Sequence, residues 1–416
     1  MAKRMAVVLA LLTAGRVAGG EPVAVDGGAV SGELSLDGRV AIWRGIPYAA
    51  APVGELRWRP PQPVEPWEGA RECAQFGPAC PQPPSPTAIT RGPGVQSEDC
   101  LYLNIHAPHG GPEGPFPVMV WIHGGGCTIG AGSLDVYDGE MLARQGAVVV
   151  TINYRLGPLG FLAHPLLSAE SPDGVSGNYG MLDQIAALQW VQRNIAGFGG
   201  DPGCVTIFGE SAGGASVARL LVSPLAEGLF HRAIAQSGAA RGHNRHLRGE
   251  REGLPPMERV GEEVFAALGC DRADDPLAAA RAVSPAELIA AAHPQVGLLG
   301  PGTKYGWVVD GWALPENPEL LLAGGRMHRV PVMAGSNADD GSMFADRAPI
   351  RTPAGYRFAL RRLAGDRADE LLALFPVQTA EEIPGAVARL LTVSSFVAPA
   401  RALVAVSYTH LTLPTN

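Results

Sequence analysis

Lysine is nearly absent from this chain. Lys3 and Lys304 are the only two in 416 residues, and arginine carries the rest of the positive charge. The net charge is -8. Binding to nucleic acid wants clustered cations against the phosphates, so that class of partner is disfavoured. Aromatic residues are scarce at 6%. The six cysteines, Cys73, Cys80, Cys100, Cys127, Cys204 and Cys270, show no zinc-site spacing,. Cys127 and Cys204 lie in glycine-rich or apolar stretches and read as inert core thiols,. Neither heptads nor internal repeats occur, and beyond the N-terminus no apolar run is long enough to cross a bilayer,.

What is present is ordinary globular composition, 46% hydrophobic and 17% charged,. Residues 1–20 read as a signal peptide: Lys3 and Arg4, the apolar run Met5–Ala14, then small residues around Ala18-Gly19-Gly20 for cleavage,. The alternative is a buried first helix. The signal reading predicts export to the periplasm or the extracellular space, a compartment that permits disulfides. Short apolar runs at Val118–Ile122, Ala147–Ile152, Cys204–Phe208, Ala233–Ala235 and Val330–Ala334 predict strands covered on both faces,. Between them Leu182, Ile185, Leu188, Val191 and Ile195 recur at helical spacing, with Gly197 as the stop, and Ala215–Val222 reads as another helix,. This alternation predicts an α/β fold with a mostly parallel sheet covered by helices. Pro47–Pro66 and Cys80–Gly94 read as loops, and Pro255–Ala291 as a helical insertion,. Arg241–Arg251 is rich in Arg and His; it reads as a solvated surface loop or as a rim that meets anionic substrates,.

Two motifs carry chemistry. Gly209-Glu210-Ser211-Ala212-Gly213 is a G-x-S-x-G sequence between a predicted strand and a predicted helix, the setting a nucleophile elbow needs,. The sharp turn exposes the Ser211 hydroxyl at the strand end, and glycines without Cβ let neighbouring segments approach. His123-Gly124-Gly125-Gly126 follows another strand. Backbone amides of Gly125, Gly126 and Ala212 are the candidate oxyanion donors, each worth roughly 3–4 kcal/mol at a tetrahedral intermediate. His123 is then a structural residue of that loop. No cofactor or metal is expected. The predicted partner is a small-molecule ester, with oligomeric state left open.

These residues give the chain a close resemblance to the type-B carboxylesterases, the α/β-hydrolase family that includes the cholinesterases. Further stretches share it: Arg44–Ala49, Pro52–Arg57, Ser97–Asn104, Asn153–Arg155, Gly177–Gln184 and Gly199–Pro202. The resemblance runs from about Val23 to about Val406. It implies an α/β-hydrolase domain over 21–405 and a serine carboxylic ester hydrolase working through an acyl-enzyme. Catalytically silent adhesion modules of the same fold, and amide or lactone hydrolysis, are the alternatives. It also implies that Asp340, in Gly335–Gly341, is the catalytic acid, where the family usually has Glu; Asp339 is the alternative. Cys80 and Cys100 align with a family disulfide, while Cys270 lacks its mate and Cys73 stands alone. The segment between Cys80 and Cys100 has no aromatic residue, and Met343 stands where another aromatic belongs, so choline esters are disfavoured,.

The triad order in this fold is serine, acid, histidine. His410 is the only histidine after Asp340, and it stands earlier than the resemblance requires. Residues 406–416 also break from the Ala/Arg-rich style before them and read as a non-native tail. The expectation is therefore a chain whose C-terminal part is missing, with its catalytic histidine beyond residue 416 and little esterase activity. The alternative makes His410 a displaced base.

Overall fold

The five apolar runs become the parallel half of one sheet. Eight strands form it: β1 (Glu33–Leu34), β2 (Val40–Pro47), β3 (Tyr102–Pro108), β4 (Phe116–Ile122), β5 (Val148–Ile152), β6 (Gly200–Glu210), β7 (Arg232–Gln236) and β8 (Val332–Gly335). Their spatial order is β8-β7-β6-β4-β5-β3-β2-β1. Strands β4 to β8 pair in parallel, and β3, β2 and β1 extend the sheet antiparallel. The computed structural model describes residues 21–84, 92–111, 114–240, 244–251 and 253–410, with side chains as far as 407. The expected leader at 1–20, residues 241–243 of the arginine-rich run, the tail at 411–416 and the His410 side chain lie outside the described residues.

Burial explains which strands the sequence reveals. Val148, Val150 and Ile152 of β5 are fully enclosed, as are Val118, Val120 and Ile122 of β4. Each such side chain stabilises by about 1.5–3 kcal/mol. The antiparallel trio was not foreseen. Its β2 is interrupted by Arg44 and Gly45, where the register with β3 shifts, and β3 carries Asn104 and His106 in its interior. Asn104 is tolerated there as an internal fastening, accepting from the Gly45 amide and donating to Thr151, whereas both ring nitrogens of His106 are buried without a hydrogen-bond partner among the described residues.

Two helices flank the central strands. Helix α1 (Tyr179–Asn194) follows the foreseen apolar spacing but does not stop at Gly197. It runs on through a 3-10 turn, Ile195–Phe198, to Gly199, whose φ of +77° ends it. A left-handed cap needs a residue without Cβ, and Gly199 supplies it. Helix α2 (Ala212–Leu220) starts directly after Ser211. The predicted insertion is three helices, α3 (Met257–Ala267), α4 (Pro276–Ala282) and α5 (Pro285–Ala292).

Several stretches that carry the family resemblance are fastenings of the fold. The Arg57 guanidinium grips both oxygens of Glu98, at 2.7 and 2.6 Å, and reaches the Ala280 and Val283 carbonyls of the insertion. Arg155 binds Asp183 of α1 through its Nε and Nη2, with both residues buried. Cys80 and Cys100 sit side by side as buried free thiols, and their mutual hydrogen bond, before burial, raises the Cys100 thiol.

At the C-terminal end, α6 (Ile383–Leu391) continues through a wide turn, Thr392–Val397, into α7 (Ala398–His410). Ile383–Ser407 is thus one continuous stretch of 25 helical residues, long and apolar enough by length and composition to cross a membrane. The sequence reading found no such segment because Arg389 and Arg401 divide it. Leu403 and Val406 pack on the main core, and α7 passes through Val406 without a break.

Candidate active site

Sheet register builds the site. Ile122 pairs with Gly209, Gln236 with Glu210, and Gln236 with Gly335. Four parallel strands therefore end level with one another, and the residues that follow them emerge side by side. Those residues are His123–Gly126, Ser211, Ser237 and Ser336–Asp340. The carboxyl edge of a parallel sheet is where α/β folds place ligands.

Ser211 has φ +54° and ψ −119°, a conformation costly for a residue with a Cβ,. Its amide donates to the Gln236 carbonyl at 2.9 Å, and its carbonyl accepts from Ala215 in the first turn of α2. The turn is enclosed on all sides. A Cβ on Gly209 would meet the Ile122 oxygen at 2.7 Å, and one on Gly213 would collide with that same oxygen. The oxyanion loop packs on this turn, since a Cβ on Gly124 would lie 3.2 Å from the Ser211 Cβ. Gly125 and Gly126 take φ of +101° and +67°. Thr128 and Ile129 donate to the Gly125 carbonyl, while the amides of Gly125, Gly126 and Ala212 have no acceptor among the described residues. Three free N–H donors beside a hydroxyl at a helix N-terminus can hold developing negative charge.

His123 is enclosed in the loop itself. Its Nδ1 lies 2.8 Å from the Gly124 carbonyl, and its ring stacks on Tyr154. Burial pushes the imidazole down to about 4, so it is neutral at ordinary pH.

Asp340 is half-buried and faces the sheet edge. Its Oδ2 accepts from the Ser237 hydroxyl and the Asn337 amide, each at 2.9 Å, and Oδ1 from the Asn337 side chain at 2.8 Å. Asp339 is exposed and turns to the Ser342 amide at 3.3 Å. Ser237 is a site residue the sequence reading missed. It is buried, has φ +46°, and ends β7 as Ser211 ends β6. A Ser-Gly pair directly after an apolar strand was the available signal.

Glu210 also belongs to this cluster. Its carboxyl lies by Gly124, where a Cβ would be 3.1 Å away. Burial, and then the neighbouring Asp340 charge, push it up to about 7. Among the described residues the Ser211 hydroxyl has no hydrogen-bond partner, and no histidine bonds to Asp340. His164 caps Leu166, His231 accepts from Val205, and His328 meets the Ser223 carbonyl. No group of three or more potential metal ligands occurs among the described residues. A separate shallow cleft opens between Trp58, Trp312, Glu170 and Asp310, and none of these belongs to the Ser211 cluster.

Comparison with known proteins supplies an independent reading. Residues 20–362 match the model of the family described as Carboxylesterase family. The chain is 44% identical to the fumonisin B1 esterase of Sphingopyxis macrogoltabida, over 89% of this chain and 65% of that protein. It is 43% identical to the para-nitrobenzyl esterase of Bacillus subtilis (strain 168), over 73% of this chain and 60% of that protein. The chain thus spans less than two thirds of the length of these relatives. Among solved structures, a PNB esterase superposes with a TM-score of 0.78 at 36% identity, covering 94% of this chain and 78% of the other.

Proposed function

The chain belongs to the carboxylesterase family, and from that premise we propose that it cleaves carboxylic esters through an acyl-enzyme on Ser211. The observation that carries this reading is the strained Ser211 backbone, set against a loop whose Gly125 and Gly126 amides are free. Ser211 Oγ attacks the ester carbonyl and the amides of Gly125, Gly126 and Ala212 receive the oxyanion. The alcohol then leaves, and water releases the acyl group. Two of the relatives are named as esterases, the fumonisin B1 esterase and the para-nitrobenzyl esterase, which favours an ester over an amide.

Asp340 is the proposed acid. Its position across Ser237 from the Ser211 turn supports it over Asp339, whose carboxylate serves the start of a separate helix. An acid in this role orients a histidine and stabilises its cation. The proposed base is not His410 and is none of the described histidines, since none of them bonds to Asp340 or to Ser211. Without a base in place, oxyanion binding alone leaves about 10³–10⁴-fold acceleration over water.

The test is turnover of p-nitrophenyl acetate together with fluorophosphonate labelling of the 416-residue chain. Weak hydrolysis is expected, abolished by Ser211→Ala and untouched by His410→Ala. Hydrolysis that survives Ser211→Ala would overturn the assignment of the nucleophile. Vigorous turnover lost in His410→Ala would make that residue the base.

A further inference from the structure

The glycine turn that carries the proposed oxyanion donors has little to hold it from within. A Cβ on Gly126 would meet nothing within 4 Å, so no packing fixes that residue. The turn is closed by its own bonds: Thr128 and Ile129 donate to the Gly125 carbonyl, and Thr128 Oγ1 donates to the Gly126 carbonyl at 3.3 Å. Its far end, Gly130, folds back on its start. With φ at +114°, a Cβ there would lie 2.5 Å from His123 Nδ1 and 2.8 Å from the Gly124 oxygen. The placement of Gly130 therefore governs the placement of Gly124 to Gly126.

A side chain from a distant part of the chain grips Gly130. Gln82 Oε1 accepts from the Gly130 amide at 2.7 Å, and Gln82 Nε2 donates to the Gly130 carbonyl at 2.9 Å. One carboxamide thus engages both main-chain groups of one residue. Apart from the adjoining His123, Gln82 is the only residue among those described whose side chain bonds to the main chain of residues 124–130 from outside. Gln82 falls in the stretch that the sequence reads as a loop, and the reaction as derived so far gives it no task.

The stretch that bears Gln82 is itself held firmly. The Gln82 amide donates to Gln96 Oε1, and Nε2 also reaches the Cys80 carbonyl, each at 3.0 Å. Ala79 bonds through its amide to Val95 and through its carbonyl to Ser97. The buried Cys80 sulfur accepts from the Leu156 amide at 3.2 Å. Asn153 ties the same two segments a second time, donating to the Pro78 carbonyl at 3.0 Å and accepting from the Gly132 amide at 2.8 Å. Residues 78–82 therefore brace the end of the oxyanion loop. Gly130 is only half-buried, so water could satisfy its amide and carbonyl if the clamp were absent,. Water could not fix the direction in which the preceding glycine amides point.

We propose that Gln82 is a positioning residue for ester cleavage: by clamping Gly130 it holds the Gly125 and Gly126 amides on the point where the oxyanion forms. It makes no hydrogen bond to Ser211 and acts through the loop alone. Donors stabilise an oxyanion when they are fixed in place before the charge develops. A displacement of about 1 Å can cost about a hundredfold in rate. The loss falls on the transition state, where the charge appears, and spares binding of the uncharged ester. The proposal rests on the reading of Ser211 as the acylated residue.

The test compares the 416-residue chain with Gln82→Met, which keeps the length of the side chain and removes both bonds. Hydrolysis of p-nitrophenyl acetate, fluorophosphonate labelling of Ser211 and melting temperature are measured on each, with rates normalised to the folded fraction. The expected result is a kcat and a labelling rate lowered about tenfold to a hundredfold, with KM unchanged within about twofold. The melting temperature should stay within about 2 °C. Gln82→Glu still accepts from the Gly130 amide but sets a carboxylate oxygen against the Gly130 carbonyl, so it should be slow as well. Parental rates in either variant would overturn the proposal. So would a raised KM with kcat intact, or a loss of rate no larger than the loss of folded protein. Failure of the esterase reading shows separately, as absent labelling of Ser211 in the parent chain, and the role of Gln82 would fall with it.

Discussion

Glu210 couples pH to the integrity of the site. Its carboxyl is raised from 4.5 to about 7, first by burial and then by Asp340. The folded state therefore binds this proton more tightly than the unfolded chain does. Stability from Glu210 is fully present below pH 4.5 and is lost as pH rises through about 7,. His123 runs the opposite way: burial lowers it from 6.5 to about 4, so its contribution is lost as pH falls across that interval,. We predict that Glu210→Gln flattens the decline of the melting temperature between pH 5 and 7 while leaving the acid limb below it unchanged. Melting curves at a series of pH values check this, and an unaltered slope above pH 5 would remove Glu210 as its cause.

At the scale of elements, the site depends on how closely strand ends can approach. The end of β4 and the first turn of α2 touch through Gly213, where a Cβ would strike the Ile122 carbonyl. That contact sets the distance between the Ser211 turn and the oxyanion loop. We predict that Gly213→Ala destabilises the chain by about 1–3 kcal/mol through overpacking. It should also slow fluorophosphonate labelling of the fraction that stays folded. Urea unfolding and labelling rates measure the two effects separately. Labelling at the parental rate would mean that the loop tolerates a shift of β4 against α2.

Across the whole molecule, buried ion pairs bind the layers together. Arg155, just past the end of β5, joins Asp183 of α1 through two side-chain bonds, and its backbone amide also donates to Asp183. The Arg155 Nη1 has no hydrogen-bond partner, and besides Asp183 the guanidinium meets only the face of the Tyr179 ring, 5.4 Å away, among the described residues. We predict that Asp183→Ala costs about 3–5 kcal/mol, because it strands a buried guanidinium. Replacing both residues with apolar side chains of similar volume should cost less than the single change. Equilibrium denaturation of the single and double variants decides it, and a single-variant loss below about 1 kcal/mol would show that water reaches Arg155.

What the sequence determined by itself was local and periodic. Runs such as Val148–Ile152 must be strands because both faces are apolar. Gly209–Gly213 must be a tight turn because only glycines permit the approach. The spacing of Leu182 to Ile195 could form only a helix. The antiparallel strands β2 and β3 were hidden because polar residues interrupt their apolar pattern, and Asn104 finds its partners, Gly45 and Thr151, far away in the chain. The tertiary structure alone decided register. It levelled the ends of β4, β6, β7 and β8, and so brought Ser237 between Ser211 and Asp340. No local pattern encodes those neighbours, because they are fixed by which strands lie side by side and by how far each slides along the next.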